Sequence, residues 1–312
     1  MPLSFEHMRA VPFVMRRAAS LRIHLVGCGG TGSWLAPALV RLTKHHGAAL
    51  TFQDHDHVEE ANCMRQNFCL AEVGRNKAVT LARRYGSAWG MAIEAVPQAF
   101  GASSATVRPH VDETVLYIGC VDNAAARCAI ESQCAEHAPH PYGQAPPYWL
   151  DCGNTALARG ANTAQVVLGS ARTLDALSGA FGVPTFCTAL PSTTLLHPNL
   201  RLAEHEDSTT DGSEELSCEE LALRNMQGMT INQHVAAIAA EYVNQLLAGT
   251  LKRFATYIDT ASGTTHALPI SPQSVVEALS GLRSLQRRSL LRRMANGTAI
   301  QAREHRAGNA EF

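Results

Sequence analysis

Between the apolar run Arg22–Val26 and the amphipathic stretch Ser33–Thr43, the chain reads Gly27-Cys28-Gly29-Gly30-Thr31-Gly32-Ser33. A glycine cluster directly after a strand and opening a helix forces a tight turn, and residues without a Cβ let an anion approach the backbone. The helix start that follows presents free N–H groups to such an anion. The spacing fits GxGxxG, and Asp54 stands 22 residues beyond Gly32 at the end of the next strand. An acid there can accept hydrogen bonds from ribose hydroxyls. Ser33-Trp34 replaces the Lys-Ser/Thr pair of a phosphate-binding P-loop, so the turn is not of that kind. These features call for a strand, helix, strand unit in a parallel sheet.

The rest of the chain agrees with that unit. Strands are expected at Arg22–Val26, Leu50–Asp54, Ile93–Val96, Val115–Cys120, Trp149–Cys152 and Gln165–Leu168, and helices at Ser33–Thr43, Lys77–Trp89 and Asn123–His137. From Leu168 to about Ser217 the composition shifts to Gly, Pro, Ser and Thr, with eight acidic residues between Glu204 and Glu220. That region reads as a long mobile loop. A helical stretch over Glu219–Leu247, with a break expected near Gly228, and strands Phe254–Ile258 and Thr265–Ile270 follow. The tail from Pro272 carries seven arginines, with Val275, Leu279, Leu282, Leu285 and Leu290 along one face, and reads as an amphipathic helix docked on the body or on a partner. The fold class expected is α/β: a Rossmann-like, mostly parallel sheet with helices on both faces and a smaller C-terminal lobe. The segments are 1–20 (N-terminal), 21–169 (nucleotide-binding), 170–217 (flexible crossover loop), 218–271 (C-terminal lobe) and 272–312 (basic helical tail).

Charge and cysteine usage narrow the setting. A net charge of −1 provides no global field for nucleic acid. The longest uncharged stretch, Ala176–Leu200, is broken by glycines and prolines, so no membrane span is expected. The start of the chain lacks a cleavage-site pattern, which points to the cytoplasm. Nine cysteines with no CxxC pair suggest free thiols in a reducing compartment.

The segment after Asp54 separates two nucleotide chemistries. Asp54-His55-Asp56-His57-Val58-Glu59-Glu60-Ala61-Asn62-Cys63-Met64-Arg65-Gln66 supplies Asn62, Arg65 and Gln66, and Lys77 follows at a helix start. Two cations and an amide beside a glycine cradle suit a triphosphate better than a dinucleotide pyrophosphate. Cys120-Val121-Asp122-Asn123 then places a carboxylate at the tip of a long strand, where it could hold Mg²⁺. The cofactor-binding set is thus Gly27, Gly29, Gly30, Gly32, Asp54, Asp56, Asn62, Arg65, Gln66, Lys77, Asp122 and Asn123. His55 and His57, flanking Asp56, read as loop residues beside the nucleotide, because alternating positions on an extended segment point apart.

Together GCGGTGS, DHDHVEEANCMRQ, GRNKA and CVDNAAAR, in this order, resemble the ThiF/MoeB/HesA group, bacterial relatives of ubiquitin-activating enzymes. The later ELSCEELALRNMQGMTINQ stretch is most similar to the ThiF-related proteins of PRTRC cassettes. The resemblance implies ATP- and Mg²⁺-dependent adenylation of the C-terminal carboxylate of a small ubiquitin-like or sulfur-carrier protein, with release of pyrophosphate. It assigns Asp54 to ribose, Asn62, Arg65 and Lys77 to phosphates, Asp122 to Mg²⁺ and Gln66 to support of the same loop. It also implies a homodimer, to which Arg9, Arg16 or Arg17 could contribute a crossing arginine, and a conjugating-enzyme partner. Arg65, Lys77 and Asp122 are the catalytic candidates, with Cys218 as the acyl-accepting nucleophile and Cys187 as the second choice. No zinc of the CxxC type is expected. Two further readings stay open: a non-catalytic nucleotide-binding scaffold and an NAD-dependent oxidoreductase.

Overall fold

The computed structural model describes residues 9–15, 19–102, 113–136, 147–154, 163–182, 185–202 and 218–294, leaving aside the side chains of 218–227. Eight strands form one sheet in the order β10-β9-β6-β5-β4-β1-β2-β3. The first five in sequence are β1 (Ser20–Val26), β2 (Ala49–Gln53), β3 (Glu94–Val96), β4 (Glu113–Gly119) and β5 (Tyr148–Asn154), and they pair in parallel. β6 (Thr163–Gly169), β9 (Arg253–Asp259) and β10 (Thr264–Pro269) continue the sheet antiparallel. A smaller hairpin joins β7 (Phe181–Gly182) to β8 (Phe186–Cys187). The strands expected from Phe254 and Thr265 therefore extend the main sheet, and the C-terminal part shares its core with the first half of the chain.

Side-chain alternation along the strands assigns the helices to faces. Leu116 and Ile118 of β4, with Tyr148 and Leu150 of β5, join the large core beneath α1 (Gly30–His46), α2 (Lys77–Trp89) and α5 (Cys218–Leu247). Val115, Tyr117 and Trp149 point the other way and pack with Ile130 of α3 (Ala124–Glu136). β4 is buried along its whole length, which explains why its Val115–Ile118 stretch is a continuous apolar run with no alternation. α2 begins where Asn76 accepts a hydrogen bond from the Val79 N–H and ends at Gly90 in the left-handed conformation.

α5 runs unbroken through Gly228, contrary to the expected interruption. It packs along α1 and over β5 and β6, and that burial outweighs the roughly 1 kcal/mol a helical glycine costs relative to alanine. The described part of the crossover is folded rather than loose. Leu177, Leu190 and Leu196 are buried, and Glu131 of α3 gathers Arg172, Thr194 and Arg201. The acidic run 203–217 lies outside the described residues.

The described part of the tail, 272–294, folds back on its own chain. α6 (Pro272–Ala278) buries Val275 and Val276, and a second helix, α7, over 284–294 buries Leu290 and Met294. The Gly179 N–H donates to the Arg293 carbonyl, and the Arg293 guanidinium meets Asp175 at 2.6 Å. Leu285, expected on the buried face, is 77% exposed. The break between α6 and α7 resets the helical phase, so one stripe cannot run through both. No helix among the described residues is long and apolar enough to cross a membrane.

Candidate nucleotide site

Strand order reverses direction of growth at β1, with β2 on one side and β4 on the other, and the crevice at their carboxyl ends is where open α/β sheets bind ligands. Gly27, Asp54 and Cys120 follow these three strands. Backbone hydrogen bonds stitch the ends together: Gly27 N–H to the Gln53 carbonyl (2.9 Å) and Cys120 N–H to the Val26 carbonyl (2.8 Å). Asp54 draws the glycine turn onto β2, accepting from the Cys28 N–H at 2.6 Å and the Asp56 N–H at 2.8 Å. Burial raises its pKa, and these two amides oppose the rise. Each carboxylate oxygen keeps a second acceptor position, so the contacts leave room for a ribose hydroxyl.

The glycines serve the protein as much as a ligand. A Cβ on Gly27 would lie 2.5 Å from the Cys120 carbonyl oxygen, one on Gly30 2.5 Å from the Asn232 amide nitrogen, and one on Gly32 would collide with the Gly27 carbonyl. Gly29 differs: its nearest neighbour would be the Gln66 amide nitrogen at 3.9 Å. α1 starts there with Gly29 as cap and no capping side chain.

The segment following β2 is held against this turn by Asn67, Ser33 and Trp34, contacts that no sequence signal marks. Asn67 donates its backbone N–H to Ser33 Oγ (2.9 Å) and its amide to the Ser33 carbonyl (3.1 Å), while Trp34 Nε1 donates to the Arg65 carbonyl (3.1 Å). The pair that replaces a P-loop's Lys-Ser/Thr thus positions Arg65 and Gln66. Asn62 is buried and closes a short 3₁₀ turn by accepting the Glu59 N–H. Arg65 is exposed on the rim, and Gln66 is buried with its side-chain Oε1 unpartnered.

Lys77 is nearly buried and pairs with Asp56 at 3.0 Å. Burial alone would raise the Asp56 pKa, but the hydrogen bond and charge of Lys77, aided by His55 and His57, bring it below the ordinary carboxylate range. Asn76 completes this corner by donating to the carbonyls of Asp54 and Asp56. Its place just before a helix is an N-cap signal readable in the sequence. On the β4 side, Asp122 and Asn123 are exposed; Asn123 donates to Asp122 Oδ1 (3.2 Å) and caps α3 by accepting the Ala126 N–H (2.8 Å).

α5 closes the cradle from above. Asn232 Oδ1 accepts from Thr31 Oγ1 at 3.1 Å and from Asn154 Nδ2 at 2.7 Å. No sequence signal marks this residue, which lies about 200 positions from its partner. Asn154 also lines a cavity of about 400 Å³ on the α3 face, with Arg127, Gly153, Gln165, Tyr257 and His266. Arg127 reaches from that cavity to the Val121 carbonyl (2.9 Å), beside Asp122. Hydrogen bonds therefore link the cavity lining to both turns of the cradle.

Two expectations change. His55 and Asp56 do not point apart: His55 Nε2 lies 3.3 Å from Asp56 Oδ1, and Asp54, His55 and Asp56 have donor atoms within 4.8 Å of one another. Asp54 is already held by two amides and Asp56 by Lys77, so this is an ion-pair network rather than a set of open ligands. Cys187 is buried in the core, which pushes its thiol up to about 12, so it is no nucleophile at neutral pH. Cys218 is the first residue of α5; its side chain, like Arg16 and Arg17, lies outside what is described, and Arg9 is exposed.

A glycine turn at a switch point, ringed by an acid, two cations and amides, defines a nucleotide-binding α/β protein. The model of the ThiF family matches residues 8–273, and the chain belongs to that family. No match was found among curated proteins. Among solved structures, the chain is similar to E. coli MccB with AMPCPP and MccA (TM-score 0.50, 14% identity, 80% of this chain and 64% of that one). It is also similar to PaaA (TM-score 0.47, 17% identity, 81% and 64%). The chain spans less than two thirds of the length of either.

Proposed function

We propose that the protein adenylates the C-terminal carboxylate of a peptide or small protein, using ATP and releasing pyrophosphate. The carrying observation is a hydrogen-bonded link: Asn154 and Arg127 belong to the cavity and are joined, through Asn232 and the Val121 carbonyl, to the two turns that form the nucleotide cradle. A substrate tail in the cavity would bring its terminus to that cradle. Family membership supports the same reading. MccB, solved with a nucleotide analogue and MccA, is a neighbour in fold.

The chemistry needs no general base, because an α-carboxylate with a pKa of about 3.3–3.7 is already ionised at neutral pH. Its oxygen attacks the α-phosphorus and pyrophosphate leaves, so the barrier is the approach of like charges. Arg65, Lys77 and the N–H groups at the start of α1 supply positive potential. Lys77 exchanges or shares Asp56 when a phosphate arrives. Asp122 is an exposed hard-oxygen donor of the type Mg²⁺ accepts while keeping several waters, and the ion would neutralise phosphate charge. We assign ribose to Asp54, and to Asn62 and Gln66 the support of the phosphate rim.

The finer reading is a ubiquitin-like or sulfur-carrier substrate of a PRTRC-type branch, a homodimer, and transfer of the acyl group to Cys218. Labelled pyrophosphate should exchange into ATP when a cognate protein with a free C-terminus and Mg²⁺ are present. Lys77→Ala and Arg65→Ala should each lower exchange by about 10²–10³-fold, the usual loss on removing one preorganised charge-stabilising donor. Absence of exchange with a verified partner, together with Arg65→Ala changing nothing, would return the scaffold reading. A reductant-sensitive adduct that forms in the native chain and also in Cys218→Ala would remove the thioester step.

A further inference from the structure

Cys120 follows the last β4 residue, and the parallel register pairs Gly119 with Asp151, which sets Cys120 beside Cys152. The two side chains share a face: Cys152 belongs to the large core and Cys120 packs against it. Neighbouring strands lie ~4.8 Å apart, inside the 4.4–6.8 Å Cα separation that a disulfide tolerates. Both thiols are free, Cys120 part-exposed and Cys152 buried, and they interact directly. Cys120 is also part of the cradle. Its carbonyl limits Gly27, and its Cβ would stand 3.5 Å from a Cβ on Gly32.

We propose that Cys120 and Cys152 are an oxidation site, a redox pair that a peroxide closes to a disulfide, fastening the tip of β4 to β5 beside the nucleotide cradle. Cys120, the more accessible, attacks one peroxide oxygen; hydroxide leaves and takes up the thiol proton as water, giving a sulfenic acid. The Cys152 thiol, whose pKa the hydrogen bond to Cys120 and burial push well up, passes its proton to the departing sulfenic hydroxyl as its sulfur displaces it, and a second water leaves. Two thiols lose two electrons and two protons, and hydrogen peroxide is reduced to two waters. The bond locks Cys120 to β5 where it lies against Gly27 and Gly32, two residues before Asp122, and removes the freedom of that turn to adjust to a nucleotide. Only the effect on catalysis rests on the adenylation reading; the cross-link does not.

The test treats the full chain with hydrogen peroxide, blocks free thiols by alkylation, and measures peptide mass and pyrophosphate exchange. A peptide joining Cys120 to Cys152, lighter by two hydrogens and reversed by dithiothreitol, is expected. Exchange should fall about tenfold, in the middle of the range for coupling between sites, and recover on reduction. Cys152→Ala and Cys152→Val, checked for native melting, should keep exchange under peroxide. Absence of that peptide, or cross-linking to Cys28, Cys63 or Cys69 instead, overturns the pair. Equal loss of exchange in both Cys152 variants overturns the link to the cradle. Should the reduced native chain show no exchange, the adenylation reading fails while the peptide mass still decides the pair.

Discussion

At the residue scale the glycines of the turn divide by what surrounds them. Gly27, Gly30 and Gly32 are enclosed by the chain itself, whereas Gly29 opens toward the Gln66 amide. Gly27 is also in the left-handed region at φ +89°, where an L side chain is strained. Gly32→Ala should therefore lower stability by about 1–3 kcal/mol, the cost of overpacking a fixed core, because its obstacle is backbone. Gly29→Ala should leave the unfolding midpoint in denaturant near the native value while weakening binding of a fluorescent ATP analogue. Equal destabilisation by both would mean that the local packing is not as described. Asp54, Lys77 and the glycines could be read from their types and spacing. Ser33, Trp34 and Asn232 could not, since their meaning comes from partners distant in the chain.

At the scale of elements, β1 carries an acid-sensitive group in its middle. His24 is 1% exposed, edge-on to Phe100 and tilted against Tyr117, and its Nε2 is unpartnered. Burial lowers its pKa from 6.5 to about 4, with a small opposing contribution from Gln53. The folded state then binds fewer protons than the unfolded state between those values, so stability rises with pH across that window. It is lost as pH falls from 6.5 toward about 4. At ~1.4 kcal/mol per pKa unit the full effect is about 3 kcal/mol. Urea unfolding at pH 7 and pH 5 should show the loss, and His24→Phe should flatten it; an unchanged slope in the variant would place the acid-sensitive group elsewhere. β1, β2 and α2 were legible because each has a turn signal at its boundary. The continuity of α5 was not, since propensity at Gly228 argued for a break and tertiary burial decided otherwise.

At the scale of the whole molecule, the tail closes the crossover region. α7 buries Leu290 and Met294 and receives the Gly179 N–H on the Arg293 carbonyl, so the segment before β7 has a packed neighbour. The N-terminal strand segment adds a second tie: Val14 N–H donates to the Cys187 carbonyl and Phe13 N–H to the Leu251 carbonyl. Leu290→Ala should cost about 2–5 kcal/mol by the large-to-small rule, and Leu285→Ala, on the exposed side, under about 0.5 kcal/mol. Denaturant midpoints of the two variants measure this directly. A Leu290 value as small as that of Leu285 would show that α7 does not stabilise the body.

The sequence by itself determined the class of fold and which residue types meet at the strand ends, because those depend on local rules. A strand followed by glycines makes a turn, an apolar run makes a buried central strand, and an acid or a lysine at an element's end faces the strand termini. Tertiary structure alone decided which face each helix covers, that the late strands extend the first sheet, and that α5 bridges cradle and cavity through Asn232. Such choices depend on the free energy of burying whole surfaces against each other, a quantity spread over distant segments that no local pattern of residues encodes.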